Sequence, residues 1–308
     1  MFQIPQYSIE PESDVPVNTD KSSSYYDDYG LIDELKTTYQ LTGKEIKIAV
    51  LDTGLIRPSS AHFSNIKKAE NFTEALPGDW ADDHPRQHGT NVCGLIAGNH
   101  NIALAPGADL YVAKVIARNG ASQLIKPEYI VRGVEWAIAN DVDIINLSVA
   151  FDTCSREVHQ SIKRAFRANK IVIAASGNGA GYASIGSLDY PGAYQESIAV
   201  GAITRYNTLF SQNAVGTVMD FVAPGVDLYS ITYQSNILQG SSFACAFFSG
   251  VIGLYLEGAR RVGKPMNSMV QLKRELVKYS IDLGATGFDP KYGYGKIDFK
   301  EMFKSLNL

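Results

Sequence analysis

The chain has 308 residues, 45% of them apolar, and a formal net charge of −4. That length and composition suit one large domain with a full core and exclude a disordered chain. An acidic balance without a long basic run speaks against nucleic-acid binding.

Residues 1–28 are polar, with Pro-rich and Ser-rich pieces, and read as an extended arm ahead of a domain at 29–308. The first residues, Met1-Phe2-Gln3-Ile4-Pro5, have neither the basic region nor the apolar core of a signal peptide. A short helix is expected over 31–40. Residues 46–51 are a run for a buried strand, with Asp52 at its carboxyl end. Residues 57–86 read as a long irregular region, and His84 in it as a solvated side chain. His88 opens a helix through Ala97, and 109–116 is the next strand. Over 127–140, Ile130, Val134, Ala137 and Ile138 recur at helical spacing. A strand at 143–148, a helix at 156–169 and a strand at 171–175 lead to Ser176-Gly177-Asn178-Gly179. Further strands are expected at 197–202, 219–222 and 228–231. A buried helix starts at the serines before Phe243, and an amphipathic helix covers 268–279. Short apolar strands alternating with helices predict an α/β fold, a mostly parallel β-sheet with helices on both faces.

Three Gly-flanked turns carry the chemistry. Val50-Leu51-Asp52-Thr53-Gly54 ends an apolar run in a carboxylate. His88-Gly89-Thr90-Asn91 begins a small, apolar helix. Gln239-Gly240-Ser241-Ser242-Phe243-Ala244 runs into the long apolar segment. A serine at a helix start has the first-turn N–H groups and the positive end of the helix beside it. Taken alone, each turn has an ordinary reading: a strand-end carboxylate, a structural histidine, an N-cap serine. Together and in this order, Asp, His and Ser form a constellation for nucleophilic acyl transfer.

In these motifs the sequence resembles the subtilisin-like serine proteases, whose motifs are Asp-Thr/Ser-Gly, His-Gly-Thr-His and Gly-Thr-Ser-Met-Ala. The similarity runs from about Tyr29 to Gly293-Tyr294-Gly295-Lys296-Ile297-Asp298. It implies a three-layer subtilisin-like fold and a serine endopeptidase acting on a peptide or protein substrate in extended conformation. Ser242 is then the nucleophile, His88 the base and Asp52 its orienting acid. Asn178 matches the family's oxyanion-binding Asn. The resemblance also implies substrate-binding segments at Gly120, Ala121 and Ser122 and at Ser148, Val149 and Ala150. It implies no cofactor, and the absence of Gly-Lys-Ser/Thr after Asn178 excludes a phosphate-binding loop.

Departures from the family pattern carry further expectations. Ala150 stands where the family has Gly and is expected to narrow the pocket for the residue before the scissile bond or to shift its wall. Asp189 falls at the floor of that pocket, where many members have Gly or Ser. It either selects Lys or Arg through a charge-assisted hydrogen bond, or is paired internally or exposed. Asn91 replaces a His and Phe243 a Met. Ser64 and a shortened loop at 99–104 predict that the family's strongest calcium site is missing, and no other metal site is expected. The residues Phe2-Gln3-Ile4-Pro5-Gln6-Tyr7 loosely resemble the cleft-crossing arm of intracellular subtilisins; a disordered tail is the competing reading.

The apolar run over 243–256 is too short to cross a bilayer, so no membrane is expected. Cys93, Cys154 and Cys245 make no disulfide framework and fit a reducing compartment. With no leader in evidence, a cytoplasmic enzyme is expected, with a selective processing role such as leader removal from a ribosomally made peptide. General intracellular turnover and a catalytically silent peptide binder remain as alternatives.

Overall fold

The computed structural model describes residues 27–57, 62–74, 78–99, 101–119, 122–179, 188–232 and 237–308. The arm expected over 1–28 lies almost wholly outside the described residues. The described elements run α1 (Asp27–Tyr39), β1 (Lys47–Asp52), β2 (Ile66–Asn71), α2 (His88–Ala97), β3 (Asp109–Lys114), β4 (Ile116–Asn119), β5 (Ser122–Ile125), α3 (Pro127–Ala139), β6 (Ile144–Leu147), α4 (Arg156–Arg167), β7 (Ile171–Ala175), β8 (Ile198–Ile203), β9 (Phe221–Pro224), β10 (Leu228–Tyr229), β11 (Ile237–Leu238), α5 (Ser241–Arg261), α6 (Met269–Lys278), β12 (Ser280–Ile281), β13 (Lys296–Ile297) and α7 (Phe299–Lys304).

Nine strands form one sheet in the order β12-β13-β9-β8-β7-β6-β1-β3-β2. Its pairs are parallel except β12 with β13. The central strands are apolar on both faces because both are covered. Ile48 and Val50 of β1 enter one core, with α2 and α5; Ala49 and Leu51 enter the other, with α3 and α4. The same alternation repeats in β7, where Ile171 and Ile173 face α5 and Val172 and Ala174 face α4. Three layers result, as expected.

α5 is the central helix. Ser241 to Ala259 are all buried, and Phe247, Phe248 and Tyr255 are among the largest side chains fully enclosed. Burying each such ring contributes about 1.5–3 kcal/mol. At 21 residues α5 is long and apolar enough to cross a membrane, which corrects the expectation of a run too short to do so. Its apolar window is entirely buried inside the fold, so it is a core helix here. The irregular region expected over 57–86 contains β2, an edge strand whose residues Ile-Lys-Lys-Ala-Glu-Asn are half-buried or exposed. Charge on an exposed edge hides the strand's periodicity and guards the edge against pairing with other chains.

Candidate active site

The sheet order reverses between β1 and β6. From β1 the chain builds outward through β3 and β2; from β6 it builds the other way through β7, β8 and β9. Crevices at such a reversal, beyond the carboxyl ends of the strands, are where ligands bind in open α/β sheets. Asp52 closes β1, Ser148 follows β6, and Asn178 stands three residues after β7. Topology alone thus delivers an acid, a backbone segment and an amide to one crevice.

His88 is brought to Asp52 by an unusual helix start. The residue before α2, Gln87, is left-handed (φ 49°) and makes no side-chain cap. The first-turn N–H groups are capped from outside. Gly89 N–H donates to Thr53 Oγ1 (2.8 Å), and Thr90 N–H donates to Asp82 Oδ2 (2.9 Å), which also accepts from Thr90 Oγ1 (2.7 Å). These bonds tie the acid's loop to the base's helix. His88 Nδ1 then lies 2.7 Å from Asp52 Oδ1, which also accepts from Thr53 N–H (2.7 Å). Both side chains are buried, Asp52 at 1% exposure and His88 at 2%. Burial opposes the charged imidazole. The Asp52 charge and hydrogen bond, with the Asp82 charge, outweigh it and raise the His88 pKa above the usual value.

Ser242 is in the first turn of α5. Gly240, before the helix, has φ 128°, a backbone conformation that side chains resist. Ser242 Oγ donates to the Ser148 carbonyl (3.1 Å), and Ser148 Oγ donates to the Ser242 carbonyl (2.8 Å). Asn146 of β6 locks this pair: its Nδ2 donates to Ser148 Oγ (3.0 Å), and its Oδ1 accepts from Ser249 Oγ (3.0 Å) one face of α5 further on. The hydroxyl of Ser241 points elsewhere and accepts from Gly177 N–H (3.2 Å).

The orientation of Asn178 is decided by its oxygen. Oδ1 accepts from Ser241 N–H (2.9 Å), so Nδ2 faces the other way, buried and with no hydrogen bond among the described residues. An unsatisfied buried donor costs about 1–3 kcal/mol and is uncommon in stable interiors. Here the amide is held by Ser241 N–H at the positive end of α5, where an anion would be stabilised. Asn178→Ala is therefore expected to lower kcat about 100- to 1,000-fold with little change in KM, a magnitude that comes from subtilisin. Steady-state kinetics on one peptide substrate would check it; a loss confined to KM would remove Asn178 from the oxyanion site.

An Asp–His pair, a helix-borne serine and an amide donor are the parts of a serine-protease triad with its oxyanion site. A profile of the subtilase family, Peptidase S8, matches residues 43–295. The chain belongs to the subtilase family. It is 34% identical over 266 residues to Subtilisin Savinase of Lederbergia lenta, covering 84% of this chain and 90% of that protein. It is 32% identical over 264 residues to the minor extracellular protease Epr of Bacillus subtilis (strain 168), covering 84% of this chain but 39% of Epr. It is 34% identical to an alkaline protease of Alkalihalobacillus alcalophilus, covering 64% of that protein. Residues 43–295 thus form a subtilisin-type serine endopeptidase domain.

The specificity pocket of this subtilase is only partly covered by the described residues. Gly120 and Ala121 lie outside them, while Ser122 begins β5, paired with Asn119 in the hairpin β4–β5. Val149 and Ala150 are buried at 1% and 3% exposure. The Ser148 side chain is engaged by α5, and its carbonyl holds the Ser242 hydroxyl. Asp189 lies against the Gly177-Asn178 turn. Gly177 has φ 104°, and a Cβ there would fall on Asp189 Oδ2, so glycine is required on both counts. The part-buried Asp189 carboxylate makes no hydrogen bond or ion pair among the described residues. Burial, then the charge of Asp152, push its pKa up to about 6.

His84 differs from the solvated side chain expected. Its ring meets His88 edge-on at 5.9 Å, and burial, then the His88 charge, push its pKa down to about 4. Phe243 packs at 5.4 Å on the His88 ring, and Asn91 ties α2 to Ser230 (2.6 Å) and Ile231 (3.1 Å). Where the calcium loop was expected to be shortened, Ser64 Oγ donates directly to Asn99 Oδ1 (2.8 Å). Among the described residues no group of three or more His, Cys, Asp or Glu is placed to hold a metal ion. Cys93 and Cys245 are buried core residues; burial holds the Cys245 thiol up at about 12.

Sequence reasoning missed Asn146, Asp82 and Lys114. Lys114 is 1% exposed and directly opposite Asp52 in the β1–β3 register. Its ammonium donates to the Thr53 carbonyl (2.7 Å), the Ala81 carbonyl (3.0 Å) and Asp83 Oδ1 (2.7 Å), fixing the loop that follows the acid. A lysine and an asparagine inside apolar strands were the available signals, since buried polar groups need partners.

Proposed function

We propose that this subtilase is a selective cytoplasmic endopeptidase that cuts after a basic residue, as in leader removal from a ribosomally made peptide. His88 takes the Ser242 proton as Oγ attacks the substrate carbonyl carbon. The oxyanion that forms is met by Asn178 Nδ2 and the Ser242 N–H. His88 then protonates the leaving amine, and water repeats the sequence on the acyl-enzyme. The observation that carries the specificity is the uncompensated Asp189 carboxylate beside Asn178. A pocket narrowed by Ala150 and floored by an acid suits one defined bond more than general turnover. The three unpaired cysteines support a reducing compartment.

A cleavage-site profile on a mixed peptide library tests this reading, with Ser242→Ala as the control. Lys or Arg before the cut is expected to dominate, and Asp189→Ser to lower kcat/KM for those substrates about 10- to 100-fold. A profile without basic enrichment would sink it.

A pH signature follows. Asp189 is neutral below about 6 and charged above it. The ratio of kcat/KM for an Arg substrate to that for its citrulline isostere therefore rises as pH increases through about 6. Titration of His88 cancels in the ratio, because both substrates need the same base. A flat ratio between about pH 5 and pH 8 would mean that Asp189 does not face the substrate.

A further inference from the structure

Phe151 and Tyr190 exchange two backbone hydrogen bonds of 2.8 Å, forming an antiparallel bridge. Their rings stack on one side of it at 6.4 Å. One step beyond the bridge on either side come Asp189 and Asp152, the latter at a bend of the chain. Asp189 Oδ2 lies against Gly177, in the turn that carries Asn178. Asp152 is exposed and, among the described residues, accepts only from Thr153 Oγ1 (2.9 Å). Among the described residues neither carboxylate has a cation. The Asp152 charge contributes, after burial, to the raised Asp189 pKa, so the two carboxylates are close enough to interact.

Neighbouring like charges are unfavourable unless something positive joins them. A divalent ion is poorly served: calcium takes six to eight oxygens, and no third His, Cys, Asp or Glu joins the pair among the described residues. A side chain that brings its own charge needs no further ligands. Guanidinium spreads its charge over a planar fork of five donors and can face two carboxylates at once; an ammonium is a compact, strongly hydrated point charge.

We propose that Asp152 is a second specificity-determining carboxylate at the mouth of the Asp189 pocket, and that the substrates are peptides with arginine, rather than lysine, before the scissile bond. This rests on the reading of Asp189 given above and adds the partner that discriminates between the two basic residues.

The test uses three peptides that differ only in carrying Arg, Lys or citrulline before the bond. They are turned over by the full chain and by Asp152→Asn, Asp189→Asn and the double variant. Asp189→Asn is expected to collapse the Arg to citrulline ratio of kcat/KM by about tenfold or more. Asp152→Asn is expected to lower it about three- to fivefold at low salt, as befits an exposed charge, and to lower the Arg to Lys ratio with it. High salt should shrink the Asp152 effect. Wild-type ratios in Asp152→Asn beside a collapse in Asp189→Asn would overturn the role of Asp152 and leave that of Asp189 standing. A wild type without preference for Arg over citrulline would overturn both. Binding of the fluorescent amidine p-aminobenzamidine to the Ser242→Ala protein gives a readout independent of turnover. Addition of Asp152→Asn should weaken it about three- to fivefold, and an unchanged Kd would overturn the proposal.

Discussion

Ser242→Ala is expected to lower kcat about a million-fold and to abolish labelling by a fluorophosphonate, while Ser241→Ala keeps the labelling. The magnitude comes from subtilisin, where losing the nucleophile alone costs about as much as losing the whole triad. The choice between adjacent serines is a matter of direction. Ser241 Oγ is turned to Gly177 N–H, whereas Ser242 Oγ reaches the Ser148 carbonyl in the crevice that holds His88. The nearest thiol offers no rescue. Cys245, one turn along α5, points at Asn146 Oδ1 (3.2 Å) and the Ile173 carbonyl (3.4 Å), and burial keeps it protonated. Loss of labelling in Ser241→Ala with retention in Ser242→Ala would shift the assignment by one residue.

Asp52→Asn is expected to lower kcat about ten-thousand-fold, with KM nearly unchanged. Asp52 Oδ1 accepts from His88 Nδ1, which keeps the Nδ1 proton in place and leaves Nε2 to act as the base. An amide can present an N–H to Nδ1 instead; the ring proton then sits on Nε2, and the base is lost. Charge matters as well as tautomer. Burial alone would lower the His88 pKa, and the Asp52 charge is the largest influence raising it. In the wild type, activity should rise with pH through a value above the usual histidine range, because only the neutral imidazole accepts a proton. In Asp52→Asn that acid limb should move to lower pH even as the rate collapses. A kcat/KM profile with an unmoved acid limb would mean that another group sets it.

Much of the site was legible in the sequence because each of its parts sits at the boundary of a regular element. Asp52 ends an apolar run, His88 begins a small-residue helix, and Ser242 stands in the first turn of the long buried helix; the structure keeps all three places. Asn178 was readable as the turn after a buried strand. What was not legible depended on partners distant in sequence. Nothing local to Asp82 says that it caps a helix beginning six residues later, and nothing local to Lys114 says that it faces Asp52 across a strand pair. Nothing local to Ser148 says that its side chain is engaged by α5, 94 residues away. β2 escaped because its charged residues obey the needs of an edge and not the alternation of a buried strand.

The sequence by itself determined the layered α/β fold, through periodicity and turn chemistry that act over a few residues. Its motifs carried the resemblance that ordered Asp52, His88 and Ser242 and that assigned Asp189 to the pocket floor. Only the tertiary structure decided which serine hydroxyl faces the crevice, which way the Asn178 amide points, and that Asp189 lies uncompensated with Asp152 next to it. Those depend on hydrogen bonds and strand register between segments far apart in the chain, where a rotation of one side chain or a shift of one residue reverses the outcome.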